Sequence, residues 1–337
     1  MYKIKIGVIG AGYISQVCHL PFLAKNKHCE IKALIEKNEN LLNKVANKYK
    51  IKNRFKNYQE IIEKKFKLDA VFICVNKFSA SEITHFFLKN KIAVFSEKPV
   101  AINYNSAKKL SILSKKNKTP LVVGYMKRHD NGSKIIKKIL NTKKFGNLEA
   151  IYYDSLMGNS FPRNYKYIKY KKPFVKVKLK NFVKSSISNI KKKQFVNFLN
   201  THSHGINLIK YYIGDNYKID LIKKDLKKEV LNFGFRNKKI TFNYRYNFNG
   251  NWKEKVQFYF KKAKITQVFF APLLKNRSSK IIIKNINNEN KKIYSSNTWA
   301  FKSQASSFID CILNKKKSIC KIENCLDDLK IIEKIFV

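Results

Sequence analysis

Six residues near the N-terminus, Gly10-Ala11-Gly12-Tyr13-Ile14-Ser15, follow a short β-branched run, Lys3 to Ile9, and open a helical pattern. A turn of this kind presents backbone N–H groups with little side chain in the way, and amides at a helix start attract an anion, above all a diphosphate. Gly10 permits the tight turn and Gly12 keeps side-chain atoms off the phosphates. Ser15 stands where a third glycine is usual and is small enough for helix and strand to approach. Glu36 lies 24 residues beyond Gly12, directly after a second apolar run, Ile31 to Ile35. A carboxylate there accepts hydrogen bonds from the adenosine ribose hydroxyls and repels a 2′-phosphate. The spacing therefore predicts a nicotinamide dinucleotide, NAD in preference to NADP, with neighbouring Lys37 leaving NADP open.

Other residues offer weaker chemistry. His202 and His204 form a His-x-His pair in what reads as a strand-to-helix turn, but no third ligand with suitable spacing accompanies them, so no metal is predicted. Lys127 and Arg128 follow an apolar run ending near Val123 and are candidates to pair with an anionic substrate group; the alternative is a solvated basic pair. Tyr125 and Met157 are candidate cleft-wall residues whose commoner role is core packing.

The elements that must position these residues alternate in type. After the first strand come apolar runs at 31–35, 69–75, 92–95 and 121–123, separated by helical patterns at 40–49, 61–65, 80–89 and 105–115. Alternation of this kind predicts a doubly wound, mostly parallel sheet, and the continuously apolar Ala70 to Val75 reads as a central strand covered on both faces. Beyond residue 125 the texture changes. A helical pattern at 134–140 precedes a strand at 148–156, and a Lys-rich stretch, 165–193, reads as a mobile loop. A helix is predicted over 204–213, then runs of period two such as Ile240 to Tyr246, the mark of antiparallel strands with one open face. Helical patterns at 301–313 and 325–335 close the chain. The fold class expected is α/β: an N-terminal Rossmann domain over 1–125, then an α+β domain over 126–337 with an open, mostly antiparallel sheet. The C-terminal helix is free to pack back on the first domain.

The 337 residues carry 71 Lys+Arg against 22 Asp+Glu, a net charge of +49. Such a balance raises nucleic acid as a partner, yet six of the 71 are Arg, the residue that nucleic-acid readers enrich, and no helix-turn-helix, zinc finger or RNA-binding aromatic motif is present. Lys is abundant together with Asn, Ile, Phe and Tyr, as a bias toward AT-rich codons would produce. On either origin the surface is strongly positive and attracts anions. Six cysteines at irregular spacings fit neither a disulfide framework nor a zinc knuckle. No signal-peptide pattern and no long apolar span is seen, so a soluble cytoplasmic protein without a membrane partner is expected.

At Ser96-Glu97-Lys98-Pro99, taken with Gly10 to Ser15, Asp69 to Ile73 and Val123-Gly124-Tyr125-Met126-Lys127-Arg128, the chain resembles the glucose-fructose oxidoreductase / inositol dehydrogenase (Gfo/Idh/MocA) family of NAD(P)-dependent oxidoreductases. His204 with Ile206-Asn207-Leu208, Gly214-Asp215 and the terminal helix extend the likeness over nearly the whole length. The resemblance implies a hydride transfer between the nicotinamide and the hydroxyl or keto carbon of a sugar, cyclitol or nucleotide-linked sugar, and a homo-oligomer, dimer or tetramer. It places cofactor contacts at Gly10, Gly12, Tyr13, Ile14, Glu36, Val75, Asn76, Glu97 and Lys98. It places substrate contacts at Lys98, Tyr125, Arg128, Asn200 and His204, with Lys98 and His204 as the catalytic pair. A Lys beside the nicotinamide is suited to proton exchange, because desolvation and the positive ring both lower its pKa.

Two positions depart from the family pattern. Asn200 stands where an Asp often precedes the histidine by four residues, so proton transfer falls on Lys98 with His204 as helper. After Val75 the usual Thr-Pro-Asn and histidine are replaced by Asn76-Lys77 and, at the histidine position, Ala80. The alternative these departures raise is a non-catalytic dinucleotide-binding or regulatory protein of the same fold.

Overall fold

The computed structural model describes residues 2–142, 144–158, 165–170, 177–214, 218–246, 250–285, 290–294 and 297–337. The chain divides into two units, each drawn from separate stretches: Met1–Tyr125, Asn164–Val196 and Gln304–Leu329 in the first, Met126–Arg163, Asn197–Ser303 and Lys330–Val337 in the second. The expected division at residue 125 is therefore not the whole account, since two later segments join the first unit. The segment Gln304–Leu329 supplies Phe308, whose ring packs edge-on against Phe72 and tilted against Phe95, and it also pairs the sheet edge, Cys320 O accepting from Val123 N. A strand edge left bare would leave its backbone groups without partners.

In the first unit β1 (Ile4–Ile9), β2 (Cys29–Ile35), β3 (Asn53–Phe55), β4 (Ala70–Ile73), β5 (Ala93–Ser96) and β6 (Leu121–Val123) form a parallel sheet in the order β3-β2-β1-β4-β5-β6. Every residue of β4 and β5 is buried, as the continuous apolar runs predict, and Phe72 stacks on Phe95 with centroids 4.7 Å apart. Two flanking helices, Glu39–Lys48 and Tyr104–Lys116, begin at asparagines whose Oδ1 accepts the amide three residues on, Asn38 from Leu41 and Asn103 from Ser106. Because all six strands run the same way, the residues that follow them gather at one edge. Strand order reverses beside β1, the place where open α/β sheets leave a crevice.

The second unit holds an eight-stranded sheet built from β7 (Leu148–Leu156), β8 (Asp220–Asp225), β9 (Val230–Phe235), β10 (Lys238–Arg245), β11 (Lys253–Phe260), β12 (Ala263–Phe269), β13 (Lys280–Asn285) and β14 (Asn290–Tyr294). Its order is β14-β13-β12-β11-β7-β10-β9-β8, antiparallel except where β7 meets β10. Burial alternates residue by residue along β12, so one face is covered and the other is open. The helix Ser203–Ile213 lies on the covered face. Gly205 makes that seat possible, since a Cβ there would stand 2.5 Å from the Phe242 ring.

The stretch 165–193 departs from the expected loop. Residues 171–176 are outside the described residues, as is Asp215, but Leu179–Asn181 forms a 3₁₀ turn and a helix begins at Asn189 and runs to Thr201. Three consecutive lysines, 191–193, disguise its apolar stripe of Phe195, Val196, Phe198 and Leu199, all buried. Among the described residues no helix is long and apolar enough to cross a membrane.

His129 makes the second unit acid-sensitive. It is buried, its Nε2 has no hydrogen-bond partner among the described residues, and burial with the nearby cations Lys134 and Arg128 pushes its pKa down to about 3. Unfolded, the imidazole takes a proton below about pH 6.5, so its contribution is intact above that pH and is lost as pH falls toward 3. Burial raises Asp130, which works the other way as pH falls. Urea unfolding between pH 7 and 4.5 is expected to show stability falling with a slope of up to about 1.4 kcal/mol per pH unit from this group. His129→Phe removes that slope; an unchanged slope in the variant refutes the assignment.

Candidate active site

The glycine turn leaves β1 and is fastened to both neighbours. Gly10 N donates to Ile35 O at 2.8 Å, and Gly10 adopts φ +91°, where a Cβ would lie 2.5 Å from the carbonyl oxygen of Cys74 and 3.3 Å from Val75 Cγ1. Only glycine satisfies both demands. Gly12 differs: a Cβ built there meets nothing within 4 Å among the described residues. The fold does not require a glycine at 12, whereas a phosphate approaching the backbone does. Glu36, at the end of β2, accepts from Ala11 N at 2.9 Å and from Asn38 N at 3.0 Å, so its carboxylate is fixed against the middle of the turn. Tyr13 and Ile14 are half-buried and lead into a π-helical turn, Ser15–His19, where Gln16 N donates to Gly12 O at 3.0 Å. An open backbone cradle beside a fixed carboxylate fits a dinucleotide diphosphate and adenosine ribose.

Lys98 sits one residue beyond Glu97 in the turn after β5, on the same sheet edge, half-buried, and its peptide bond to Pro99 is cis. Glu97 is held from several sides. His19 Nε2 lies 2.7 Å from Glu97 Oε1, Lys98 N donates to Oε2 at 3.3 Å, and a Cβ on Gly124 would come within 3.0 Å of Oε2. His19 is fully buried between Phe72 and Phe95. The carboxylate of the Glu97-Lys98-Pro99 motif is thus anchored to the first helix, and the backbone of Lys98 is anchored to the carboxylate. Sequence reasoning passes over His19 because it stands in an apolar stretch, Val17-Cys18-His19-Leu20, with its partner 78 residues away. A polar residue repeating the apolar face of a buried helix was the one available signal.

The remaining candidates fare unevenly. Val75 borders Gly10 as stated, while the Asn76 side chain is spent on the turn entering the helix Ala80–Lys89, its Oδ1 accepting from Phe78 N at 2.9 Å. Tyr125 is buried, its carbonyl accepting from Cys320 Sγ, and Met157 is half-buried. In the second unit Asn200 is exposed in the last turn of the helix Asn189–Thr201, and His204 is half-buried in the first turn of the next. His202 therefore lies between two helices and not in a strand-to-helix turn. Its ring is buried against Phe198, Tyr244 and Tyr246, with Nδ1 3.0 Å from Ser155 Oγ, the setting of a core histidine.

Arg128 corrects the expectation of a substrate contact. It is fully buried, donates from Nε to Asn207 Oδ1 at 2.7 Å and from a terminal nitrogen to Asn207 O at 3.0 Å, and lies over the Tyr211 ring. Lys127 is likewise buried and paired with Glu254. Neither is a solvated pair or an exposed anion receptor, because both follow a strand straight into the core of the second unit.

Residues 4–125 match the model of GFO_IDH_MocA, an oxidoreductase family with an NAD-binding Rossmann fold. A myo-inositol 2-dehydrogenase of Thermotoga maritima is 28% identical over 142 residues, 42% of this chain and 42% of that protein. The uncharacterized oxidoreductase YrbE of Bacillus subtilis is 26% identical over 144 residues, 43% of this chain and 42% of its own. The chain thus aligns with less than half the length of these curated relatives. The fold is shared over nearly the full length with two solved structures. The 3-ketoreductase KijD10 from Actinomadura kijaniata, in complex with NADP and TDP-benzene, has a TM-score of 0.74 at 14% identity, covering 99% of this chain and 97% of that one. The dehydrogenase MviM from Clostridium difficile has a TM-score of 0.72 at 20% identity, covering 98% of each. Sheet order, turn chemistry and family model agree on the first unit: residues 4–125 match the NAD-binding Rossmann fold of the GFO_IDH_MocA oxidoreductase family.

Proposed function

We propose that this protein is an NAD(P)-dependent oxidoreductase that moves a hydride between the nicotinamide and the hydroxyl or keto carbon of a sugar, cyclitol or nucleotide-linked sugar. The observation that carries the reading is the Glu36 carboxylate bonded to Ala11 N beside the open face of Gly12, on the sheet edge that also bears Lys98. Bound there, the dinucleotide supplies the carbon that gives or takes the hydride. Gly10 and Gly12 admit the diphosphate, Glu36 receives the ribose hydroxyls, and Val75, Asn76 and Glu97 border the path toward the nicotinamide. Lys98 takes the proton of the substrate hydroxyl as the hydride leaves its carbon, and returns it in the reverse direction. His204 and Asn200 supply hydrogen bonds to substrate hydroxyls, Asn200 orienting without accepting a proton. The names of the relatives, a myo-inositol dehydrogenase and a ketoreductase crystallised with a TDP-linked ligand, support a polyol or sugar-nucleotide substrate. We place the protein in the cytoplasm as a homo-oligomer, the open sheet face with Tyr152 exposed offering surface for a second copy.

The test is a fluorescence titration with NADH and NADPH, followed by absorbance assays with myo-inositol and nucleotide-linked keto sugars. NADH binding is expected to be the tighter, because Glu36 opposes a 2′-phosphate. A protein that binds neither nucleotide ends the proposal. The two glycines separate fold from ligand. Gly12→Ala is expected to leave unfolding within about 0.5 kcal/mol of the parent and to weaken NADH binding by at least about tenfold. Gly10→Ala destabilises the protein itself, by roughly 1–3 kcal/mol for an alanine forced into the left-handed region. Equal nucleotide affinity in Gly12→Ala and the parent removes the diphosphate from the turn.

A further inference from the structure

Gln16 makes three hydrogen bonds that join two parts of the first unit far apart in sequence. Its Nε2 donates to Ala11 O at 2.8 Å and to Ile168 O at 3.1 Å, and its Oε1 accepts from Ile168 N at 2.8 Å. The side chain is 4% exposed. Ile168 belongs to the segment 165–170, which meets the dinucleotide site at two more points. Tyr167 sets its ring perpendicular to Tyr13 with centroids 4.7 Å apart, and Tyr170 lies close enough to Glu36 for that carboxylate, after burial, to raise its phenol. Two positions of one short segment thus touch the glycine turn and the helix that leaves it, and a third lies in the field of the ribose carboxylate.

The chemistry of Gln16 suits holding a backbone. A primary amide carries a donor and an acceptor in one plane and can serve both the N–H and the C=O of a single residue, as a neighbouring strand would; a carboxylate, thioether or alkyl chain cannot. Were packing alone required, an apolar side chain would fill the place without the cost of burying an amide. Gln16 also bonds Ala11, whose own N–H is held by Glu36, so the latch and the diphosphate cradle share an atom group.

We infer that Gln16 is a latch that holds residues 165–170 as a strap across the dinucleotide site, so that the cofactor enters and leaves only when the Gln16–Ile168 bonds open. The inference rests on the dinucleotide reading of the turn given above. It assigns Gln16 a positioning role in cofactor exchange, with the strap as the moving part.

Gln16→Met keeps the length of the side chain and removes all three bonds. With NADH as probe in stopped-flow fluorescence, association and dissociation rates are both expected to rise on the order of tenfold, since two neutral hydrogen bonds are lost from the latched form. The strap reports independently, because Lys166 and Lys169 are exposed on either side of Ile168. Trypsin cleavage after these two lysines, mapped by mass spectrometry, is expected to quicken in Gln16→Met by a similar factor while the thermal midpoint stays put. Should Gln16→Met fail to fold, Tyr167→Ala loosens the strap from its other contact and is expected to raise both NADH rates severalfold. A folded Gln16→Met with parental NADH rates and parental cleavage overturns the latch and leaves the dinucleotide reading intact. A parent protein that binds no NADH overturns the dinucleotide reading and the gate with it.

Discussion

Lys98→Ala is expected to lower turnover by about 10²- to 10⁴-fold, the usual worth of a positioned acid–base group, while leaving NADH affinity within about threefold. The expectation follows from where the lysine stands. The turn after β5 is pinned by Glu97, which is itself gripped by His19 at 2.7 Å and closed in by Gly124, so Lys98 is presented from a rigid backbone. A group held this way contributes its proton chemistry without an orientational cost at each turnover. Lys98→Arg separates proton transfer from charge: guanidinium keeps the positive charge but does not release a proton in the working range. If Lys98 exchanges the proton, the arginine variant falls nearly as far as the alanine one. Retention of a tenth or more of the parental turnover by Lys98→Ala would remove the residue from the chemistry. NADH binding with no turnover in the parent itself would favour the regulatory alternative.

The largest expected effect on stability lies in the second unit, at the ion pair between Lys127 and Glu254. Both side chains are nearly inaccessible, 4% and 1% exposed, and the Lys127 ammonium is surrounded by the Trp252 and Phe269 rings at 5.7 and 5.5 Å. Burial lowers the Lys127 pKa, with Glu254 pulling in the opposite direction. The same Glu254 oxygen accepts from the Tyr153 hydroxyl, and the other has no partner among the described residues. Removing one member strands the other in an apolar setting, so Lys127→Met is expected to cost about 3–5 kcal/mol. The pair as a whole is worth far less, because each charge was costly to desolvate. Lys127→Met with Glu254→Met is therefore expected to recover most of the loss, ending within about 2 kcal/mol of the parent. Urea unfolding of the parent, both single variants and the double variant closes the cycle. Additive losses would show that the two side chains do not act as a pair.

The same two elements mark how far the primary structure could be read. Lys127-Arg128 appears as a basic dipeptide after a strand, and a basic dipeptide is equally consistent with a solvated surface, an anion receptor or a buried pair. The decision rests with Glu254 and Asn207, 127 and 79 positions away, and no local pattern points to them. His19 and Gln16 were illegible for the same reason, their partners being Glu97 and Ile168. The helix Asn189–Thr201 was hidden differently, behind consecutive lysines that mimic a solvated loop.

Local rules, by contrast, carried much of the first unit. The helix Ala80–Lys89 and the strand β6 fall where the sequence pattern puts them, the buried β4 announces itself by an unbroken apolar run, and Gly10, Gly12 and Glu36 stand in a spacing that only a strand–turn–helix makes useful. What the residues determined by themselves is whatever depends on near neighbours: the period of burial, turn conformation and the edge of the sheet at which chemistry gathers. Only the tertiary structure decided which polar side chains are spent on one another, because burial and pairing are properties of residues brought together across a hundred positions, and the free energy of a buried charge or amide depends on that partner more than on its own identity.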